Sequence, residues 1–121
     1  MGARREVESY LPLPASVMHI VVALAAGEKH GYAIMRDVSA VSGGLIRMGS
    51  GTLYGSIKRM LDQGLIEEAE ERPDPALDDQ RRRYYRLTSL GHRVGAAEHE
   101  RLASLVDAAR LRQLGLHVGR A

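Results

Sequence analysis

Apolar residues repeat at helical spacing in three successive segments before residue 64, and this periodicity constrains the fold more than any other feature of the sequence. The first helix is predicted to begin near Pro14, because proline is favoured in a first turn, and to end at Gly27. The second is predicted to stop at Gly43. We expect the Ser50 hydroxyl to cap the third helix and Gly64 to end it in a left-handed conformation.

Beyond residue 64 the pattern is that of a β-hairpin followed by a long helix. Residues 65–71 and 82–87 read as two strands, joined by a loop rich in proline and aspartate. Thr88 is placed to cap a last helix that runs to about Leu114. With a short extended piece at 45–47, this order predicts a mainly α fold of the α+β class, a winged helix-turn-helix with a C-terminal helix.

Composition excludes several classes of protein. The 121 residues contain no cysteine, which rules out disulfides and thiol nucleophiles and fits a cytoplasmic location. The longest apolar run, 20–26, is far shorter than the ~20 residues of a membrane span, so no membrane partner is expected. Scattered histidines and the lack of a serine with a base and an acid predict no metal, no cofactor and no enzyme activity.

Five sequence blocks, in order, resemble the PadR family of transcriptional regulators over residues 11–114. They are His30-Gly31-Tyr32, Gly51-Thr52-Leu53-Tyr54, Gly64-Leu65-Ile66, Arg82-Arg83-Tyr84-Tyr85-Arg86-Leu87-Thr88 and Gly91. The resemblance implies a homodimer that binds double-stranded DNA at a pseudo-palindromic operator, with repression relieved by a small-molecule effector. It is closest to family members with a single C-terminal helix, which makes the dimer. The wing tip departs from a phosphate-tracking wing, because it carries Asp74, Asp78 and Asp79.

The third helix is the candidate recognition helix. With Leu53 placed in the core, its outward face carries small and cationic residues that suit a DNA groove, although a solvated surface has the same pattern. Tyr32 and Tyr54 are either core residues or phosphate contacts, and the wing arginines bind either phosphate or the glutamates of residues 67–71. The predicted DNA-binding residues are Tyr32, Ser50, Gly51, Thr52, Tyr54, Gly55, Lys58, Arg59, Arg72, Arg81 and Arg82.

The last helix is too long to be covered by a compact winged core, so its apolar residues are expected to pair with a second copy of the chain. The predicted dimer interface is Val17, Met18, Val21, Leu102, Leu105, Val106, Ala109 and Leu114. Any effector pocket is expected at this interface. Since the chain has no Phe or Trp, the expectation is either a pocket lined by aliphatic residues or no effector at all.

The sequence is therefore divided into a winged helix-turn-helix DNA-binding domain at 11–87 and a dimerisation helix at 88–115, with 1–10 and 116–121 flexible. The favoured function is a sequence-specific DNA-binding repressor. The alternative is a winged-helix module that binds protein without specific DNA binding, and the acidic wing tip favours it.

Overall fold

The computed structural model describes residues 2–73 and 81–115, in which helices dominate and a small sheet closes one side. The helices are α1 Gly2–Glu8, α2 Ala15–Ala25, α3 Gly31–Val41, α4 Ser50–Asp62 and α5 Ser89–Leu111. The strands are β1 Lys29–His30, β2 Ile66–Glu68, β3 Arg72–Pro73, β4 Arg81–Arg82 and β5 Tyr84–Leu87. This order confirms the predicted fold class, a mainly helical winged helix-turn-helix with a long C-terminal helix.

Side-chain caps fix where two of the helices begin. The Nδ1 atom of His30 accepts a hydrogen bond from the Ala33 amide at 3.1 Å and caps α3. The Thr88 hydroxyl accepts one from the Gly91 amide at 3.0 Å and caps α5, as predicted. The cap predicted for α4 was wrong, because Gly49 occupies that position and Ser50 is the first helical residue.

The sheet contains three antiparallel strands in the order β1-β5-β2. Lys29 pairs with Tyr85 on one side of β5, and Ile66 pairs with Leu87 on the other. The strand that pairs with the hairpin is therefore β1, which lies directly before α3. The extended piece predicted at 45–47 is not part of the sheet. Beyond β2 the hairpin continues as the two-residue pair of β3 with β4, and the acidic wing tip lies outside the described residues.

The N-terminal residues differ from the prediction that 1–10 are flexible. Residues Gly2–Glu8 form α1, which packs against α5 and buries Val7. The Tyr10 hydroxyl then donates to the Gln63 carbonyl at 3.3 Å, which ties the following segment to the end of α4.

The hydrophobic core is built where four helices meet the sheet. Ile20 of α2, Ile34 of α3, Leu53 of α4 and Val94 of α5 are all fully buried. Truncating a buried leucine such as Leu53 to alanine typically costs about 2–5 kcal/mol, because it removes apolar contacts and leaves a cavity. The first half of α5 thus belongs to the same core as the helix-turn-helix.

Candidate nucleic-acid interface

Helix α4, the second helix of the helix-turn-helix, has one buried and one open face. Leu53, Ile57 and Met60 are buried. The exposed residues include Ser50, Gly51, Thr52, Gly55, Lys58 and Arg59. A Cβ built on Gly55 meets no described atom within 4 Å, so the middle of this face is flat and accessible. The predicted orientation of the helix is confirmed, except that Ser56, expected at the edge of the open face, is buried.

The start of α3 presents an exposed tyrosine beside this face. Tyr32 is 44% exposed, and its ring stacks near the buried His30 ring with 6.4 Å between centroids. The guanidinium of Arg36 lies 5.7 Å from the centroid of the Tyr32 ring, within cation–π range. His30 also meets Tyr84 edge-on at 5.3 Å, so the cap of α3 is held by the sheet. These roles of His30 and Arg36 were not predicted from the sequence.

Tyr54 joins α4 to the start of α3. Its side chain is 48% exposed, and its ring lies so close to Gly31 that a Cβ on Gly31 would collide with it. A side chain at residue 31 would therefore require the exposed end of the Tyr54 ring to move. Tyr32 and Tyr54 are both exposed and are not plain core residues, which leaves the phosphate-contact hypothesis for each.

A polar cavity of about 310 Å³ opens between α3, α4 and the wing. Its described lining residues are His30, Gly31, Tyr32, Tyr54, Glu71, Arg82, Arg83 and Tyr85. Burial raises the pKa of the Tyr85 hydroxyl, with Arg83 opposing the shift, so this group keeps its proton at neutral pH. The cavity collects hydroxyl and guanidinium donors, the groups that contact DNA phosphates.

Two wing arginines pair with acidic neighbours across the hairpin, as one of the sequence alternatives expected. Arg83 lies 3.3 Å from the Glu68 carboxylate, and Arg86 lies 2.8 Å from Glu67 and 3.3 Å from Glu28. These pairs are exposed, so phosphate can compete for the arginines at small cost. Arg82 is half-buried at the cavity wall.

The two cations of α4 have different surroundings. Lys58 is exposed on the open face, whereas Arg59 lines a second cavity of about 390 Å³ beside the segment that precedes α2. The described lining of that cavity is Ser9, Tyr10, Leu13, Pro14, Val17, Arg59 and Gln63. Sequence spacing gave both side chains the same outward direction, and the packing of the N-terminal segment separates them.

The predicted dimer-interface residues divide into two groups. Val17 and Val21 are buried in the core of the protomer, and Met18 is half-buried against it, so the two valines are unavailable to a partner. This part of the predicted interface was wrong, because periodicity marks an apolar face without showing what covers it. On α5, Leu105 and Val106 are 59% and 63% exposed, and Leu102 and Ala109 are half-buried. Leu114, in the turn that follows α5, is 69% exposed.

A buried carboxylate on α5 is a structural residue that the sequence analysis overlooked. Glu98 is 1% exposed and accepts hydrogen bonds from the Leu13 amide at 3.1 Å and from Arg101 at 2.6 and 2.8 Å. The Arg101 hydrogen bonds lower the pKa of Glu98, and its burial opposes them. A signal was present in the sequence, since Glu98 follows the buried Val94 by one helical turn.

A third and larger cavity, of about 830 Å³, lies between α1 and α5. Aliphatic residues such as Val7, Leu11 and Ala97 share its wall with the charged Arg4, Glu8, Arg93, Glu100 and Arg101. It lies next to the part of α5 that carries the exposed apolar residues.

Within the described ranges, no helix is long and apolar enough to cross a bilayer. The same residues hold no group of three or more His, Asp or Glu side chains that is arranged to bind a metal ion.

Comparison with protein families gives a match to the Transcriptional regulator PadR-like family over residues 20–97, which is more than half of the chain. The chain belongs to the PadR-like family of transcriptional regulators. Members of this family are DNA-binding regulators that act as dimers, so the predicted DNA partner and homodimer are those of the family.

The chain is also similar to a curated protein and to several solved structures. This PadR-like chain is 35% identical over 88 residues to an uncharacterised 37.1 kDa protein in transposon TN4556 of Streptomyces fradiae. The matched segment is 73% of this chain but only 23% of that relative. A PadR family transcription regulator from Clostridium difficile superposes with a TM-score of 0.67 at 21% identity, covering 81% of this chain and 97% of that one.

Bacillus subtilis PadR, solved in complex with operator DNA, superposes with a TM-score of 0.58 at 22% identity. The match covers 75% of this chain and 48% of that one, so the PadR-like chain is much shorter than this neighbour. At these identities the neighbours establish the fold and leave the roles of individual residues to be argued from the site.

Proposed function

We propose that this PadR-like regulator is a cytoplasmic repressor that binds a pseudo-palindromic operator as a two-fold dimer, with α4 in the major groove. The observation that carries the proposal is the position of the polar cavity beside the open face of α4. Tyr32, Tyr54 and Arg82 line that cavity and are suited to hold the DNA backbone where the helix enters the groove.

The roles on α4 follow from exposure. Gly55 allows the helix backbone to approach the floor of the groove, and Lys58 projects a cation from the same face. Ser50, Gly51 and Thr52 are exposed in the first turn, where backbone amides and hydroxyls suit phosphate. Arg59 lies at the flank, so we assign it to the phosphate backbone instead of a base.

The wing supplies the remaining contacts. Arg72 pairs with Arg82 across β3 and β4 at the outer part of the hairpin, and Arg81 precedes Arg82 in the chain. We assign all three to phosphates of the flanking groove, as the second contact surface of each protomer. A Lys or Arg that neutralises a phosphate makes binding salt-dependent, because counterions are released.

The dimer is proposed to form through the second half of α5. The apolar positions 102, 105, 106 and 109 follow the i, i+3, i+4, i+7 spacing of one helix face, and Leu105 and Val106 are exposed in the protomer. We place the boundary between the DNA-binding unit and the dimerisation segment near Arg101, because Glu98 still belongs to the core. The predicted boundary at residue 88 would divide one packed unit.

Relief of repression by a small molecule is proposed to use the cavity between α1 and α5. Its volume, about 830 Å³, lies in the range of small-molecule sites. A ligand there would touch α5 close to the proposed dimer interface, where it can alter the distance between the two recognition helices. Its charged rim and aliphatic wall suit an amphipathic molecule.

The experiment that tests DNA binding compares two substitutions that remove the same charge. DNA fragments selected by the purified protein supply the operator, and fluorescence anisotropy then gives its Kd at several salt concentrations. Lys58→Ala is expected to weaken binding about tenfold and to reduce the salt slope by about 0.9, the value of one phosphate contact. Arg5→Ala, an exposed cation on α1, is the control and is expected to leave both unchanged.

Two results would count against the proposal. If selection yields no preferred sequence, the protein is a winged-helix module of the second class, which binds protein without specific DNA contact. If Lys58→Ala and Arg5→Ala change the salt slope equally, the open face of α4 is not the surface that meets DNA.

A further inference from the structure

Residues 10–13, here named the N-terminal strap, connect α4 and α5, two helices that the wing separates in the chain. At one end the Tyr10 hydroxyl donates to the Gln63 carbonyl, the C-cap of α4, at 3.3 Å. At the other end the Leu13 amide donates to the Glu98 carboxylate of α5 at 3.1 Å. The strap therefore links the recognition helix directly to the helix proposed to make the dimer.

The strap is anchored on α5 by a charged group that is expensive to bury. A carboxylate at 1% exposure loses its hydration, and only good hydrogen bonds offset that cost. Glu98 has them, since both carboxylate oxygens bond to Arg101 and one also receives the Leu13 amide. An aliphatic residue would fill the same space and pack as well, so general core packing does not explain a carboxylate here.

A second connection joins the same two helices at the start of α5. The Thr88 hydroxyl donates to the Gly64 carbonyl at 2.6 Å while it accepts the Gly91 amide that caps α5. A Cβ on Gly91 would overlap the Leu65 carbonyl, so the backbones are in close contact there. Between these two connections Val94 packs α5 into the core, and Glu98 is the last buried residue of α5 before the helix leaves that core.

We infer that Glu98 and Tyr10 are positioning residues that fix the angle between α4 and α5 and so determine which half-site spacing the dimer accepts. The inference rests on the proposed function, since it assumes that α5 makes the dimer and α4 reads DNA. The 23 residues of α5 extend about 35 Å. The 13 residues of α5 beyond Glu98 extend about 20 Å, so a 10° change in their direction moves the far end by about 3.4 Å, one base-pair rise.

The test measures binding against operator spacing with the full-length protein. Half-sites found by selection are placed at the natural separation and one or two base pairs closer or further apart, and a single half-site is included. Each added base pair rotates one half-site by about 35°, so a rigid dimer loses affinity quickly. For the wild type we expect a loss of about tenfold per base pair, which corresponds to about 1.4 kcal/mol.

Glu98→Leu removes both carboxylate acceptors and keeps a similar side-chain volume. It therefore removes the hydrogen bond between the strap and α5. For this variant we expect the loss of operator affinity to fall to about threefold or less for each base pair of altered spacing. Its affinity for a single half-site and its dimer Kd should stay at wild-type values. Glu98→Gln, which keeps one acceptor, should lie between Glu98→Leu and the wild type. Glu6→Gln, which removes an exposed carboxylate on α1 away from the described cavities, is the control and should match the wild type.

Tyr10→Phe cuts the other end of the strap by removing a single exposed hydrogen bond, with Ser9→Ala as its control. It should relax the spacing preference less than Glu98→Leu, and it carries the test if Glu98→Leu does not fold. The inference is overturned if these strap variants keep the wild-type spacing penalty, or if the wild type itself tolerates all spacings. Failure of the wild type to bind any selected DNA would instead overturn the proposed function.

Discussion

The two halves of α5 have the same helical periodicity in opposite environments. Before residue 99, Gly91, Val94 and Glu98 face the winged core and are buried. After residue 101, Leu105 and Val106 occupy equivalent positions on the helix and are exposed. One helix therefore serves two surfaces, and the change between them comes within one turn. Periodicity identifies a face that will be covered, but only the length of the neighbouring elements decides whether the same chain covers it.

A carboxylate introduced into each half of α5 should give the largest difference in effect between the two halves. Val94→Asp places an unpaired charge in the core and should destabilise the protomer by at least about 3 kcal/mol, observed as loss of cooperative urea unfolding. Val106→Asp should leave a folded protein with wild-type far-UV circular dichroism that sediments as a monomer at concentrations where the wild type is a dimer. A dimeric Val106→Asp protein would place the interface on another surface.

Substitutions at small residues should show the same contrast with a smaller effect. Gly91→Ala must displace the Leu65 carbonyl, and overpacking of this kind costs about 1–3 kcal/mol, more than the helix propensity of alanine returns. Ala103→Gly, at an exposed position in the second half, should cost about 1 kcal/mol through helix propensity alone. Equal losses for the two variants in urea denaturation would mean that the close approach at Gly91 is relaxed in solution.

The pH dependence of stability should reveal the buried carboxylate at the end of the first half, Glu98. Because hydrogen bonds from Arg101 lower the pKa of Glu98, its contribution is fully present above the unfolded value of 4.5 and is lost as pH falls through the lower folded pKa. Glu98→Gln should therefore be less stable than the wild type at pH 7, and the difference should shrink below about pH 4.5. Urea midpoints at pH 7 and pH 3.5 measure this, and Glu100→Gln is the matched control.

The smallest effect is expected for an ion pair in the second half. Arg110 lies 3.1 Å from Asp107, with both side chains more than half exposed, so solvent screens the pair. Asp107→Asn should change the free energy of unfolding by no more than about 0.5 kcal/mol. A larger change, or one that depends on protein concentration, would show that Asp107 lies inside the dimer interface.

Local rules predicted most of the helix ends. Thr88 caps α5, and Gly64 has a φ of +76° at the end of α4, as the sequence analysis expected. These features depend on the hydrogen bonding and steric freedom of single residues, and they are therefore readable from sequence. The open face of α4 was predicted for the same reason, because Leu53 fixes the rotation of the helix.

Features that depend on contacts between distant residues were missed. The two residues of β1 are too few to show an alternating pattern. They form a strand only because their backbone pairs with the edge of β5. Val17 and Val21 were assigned to the dimer although they are buried inside the protomer. Glu98 was overlooked because a charged residue on an apolar helix face is normally taken as a break in that face. In the structure its hydrogen bonds to Arg101 and Leu13 allow it to be buried and join α5 to the N-terminal strap.

The sheet order has a consequence for how the protein folds. Strands β2 and β5 are joined through the wing and can pair early, since their contact closes a local loop. Lys29, in contrast, pairs with Tyr85 across nearly the whole winged unit, and closing so long a loop has a larger entropic cost. We expect β1 to dock late and to open first in native-state hydrogen exchange. The start of α3, which holds Tyr32, would then exchange in step with β1, and DNA that contacts it would slow the exchange of both.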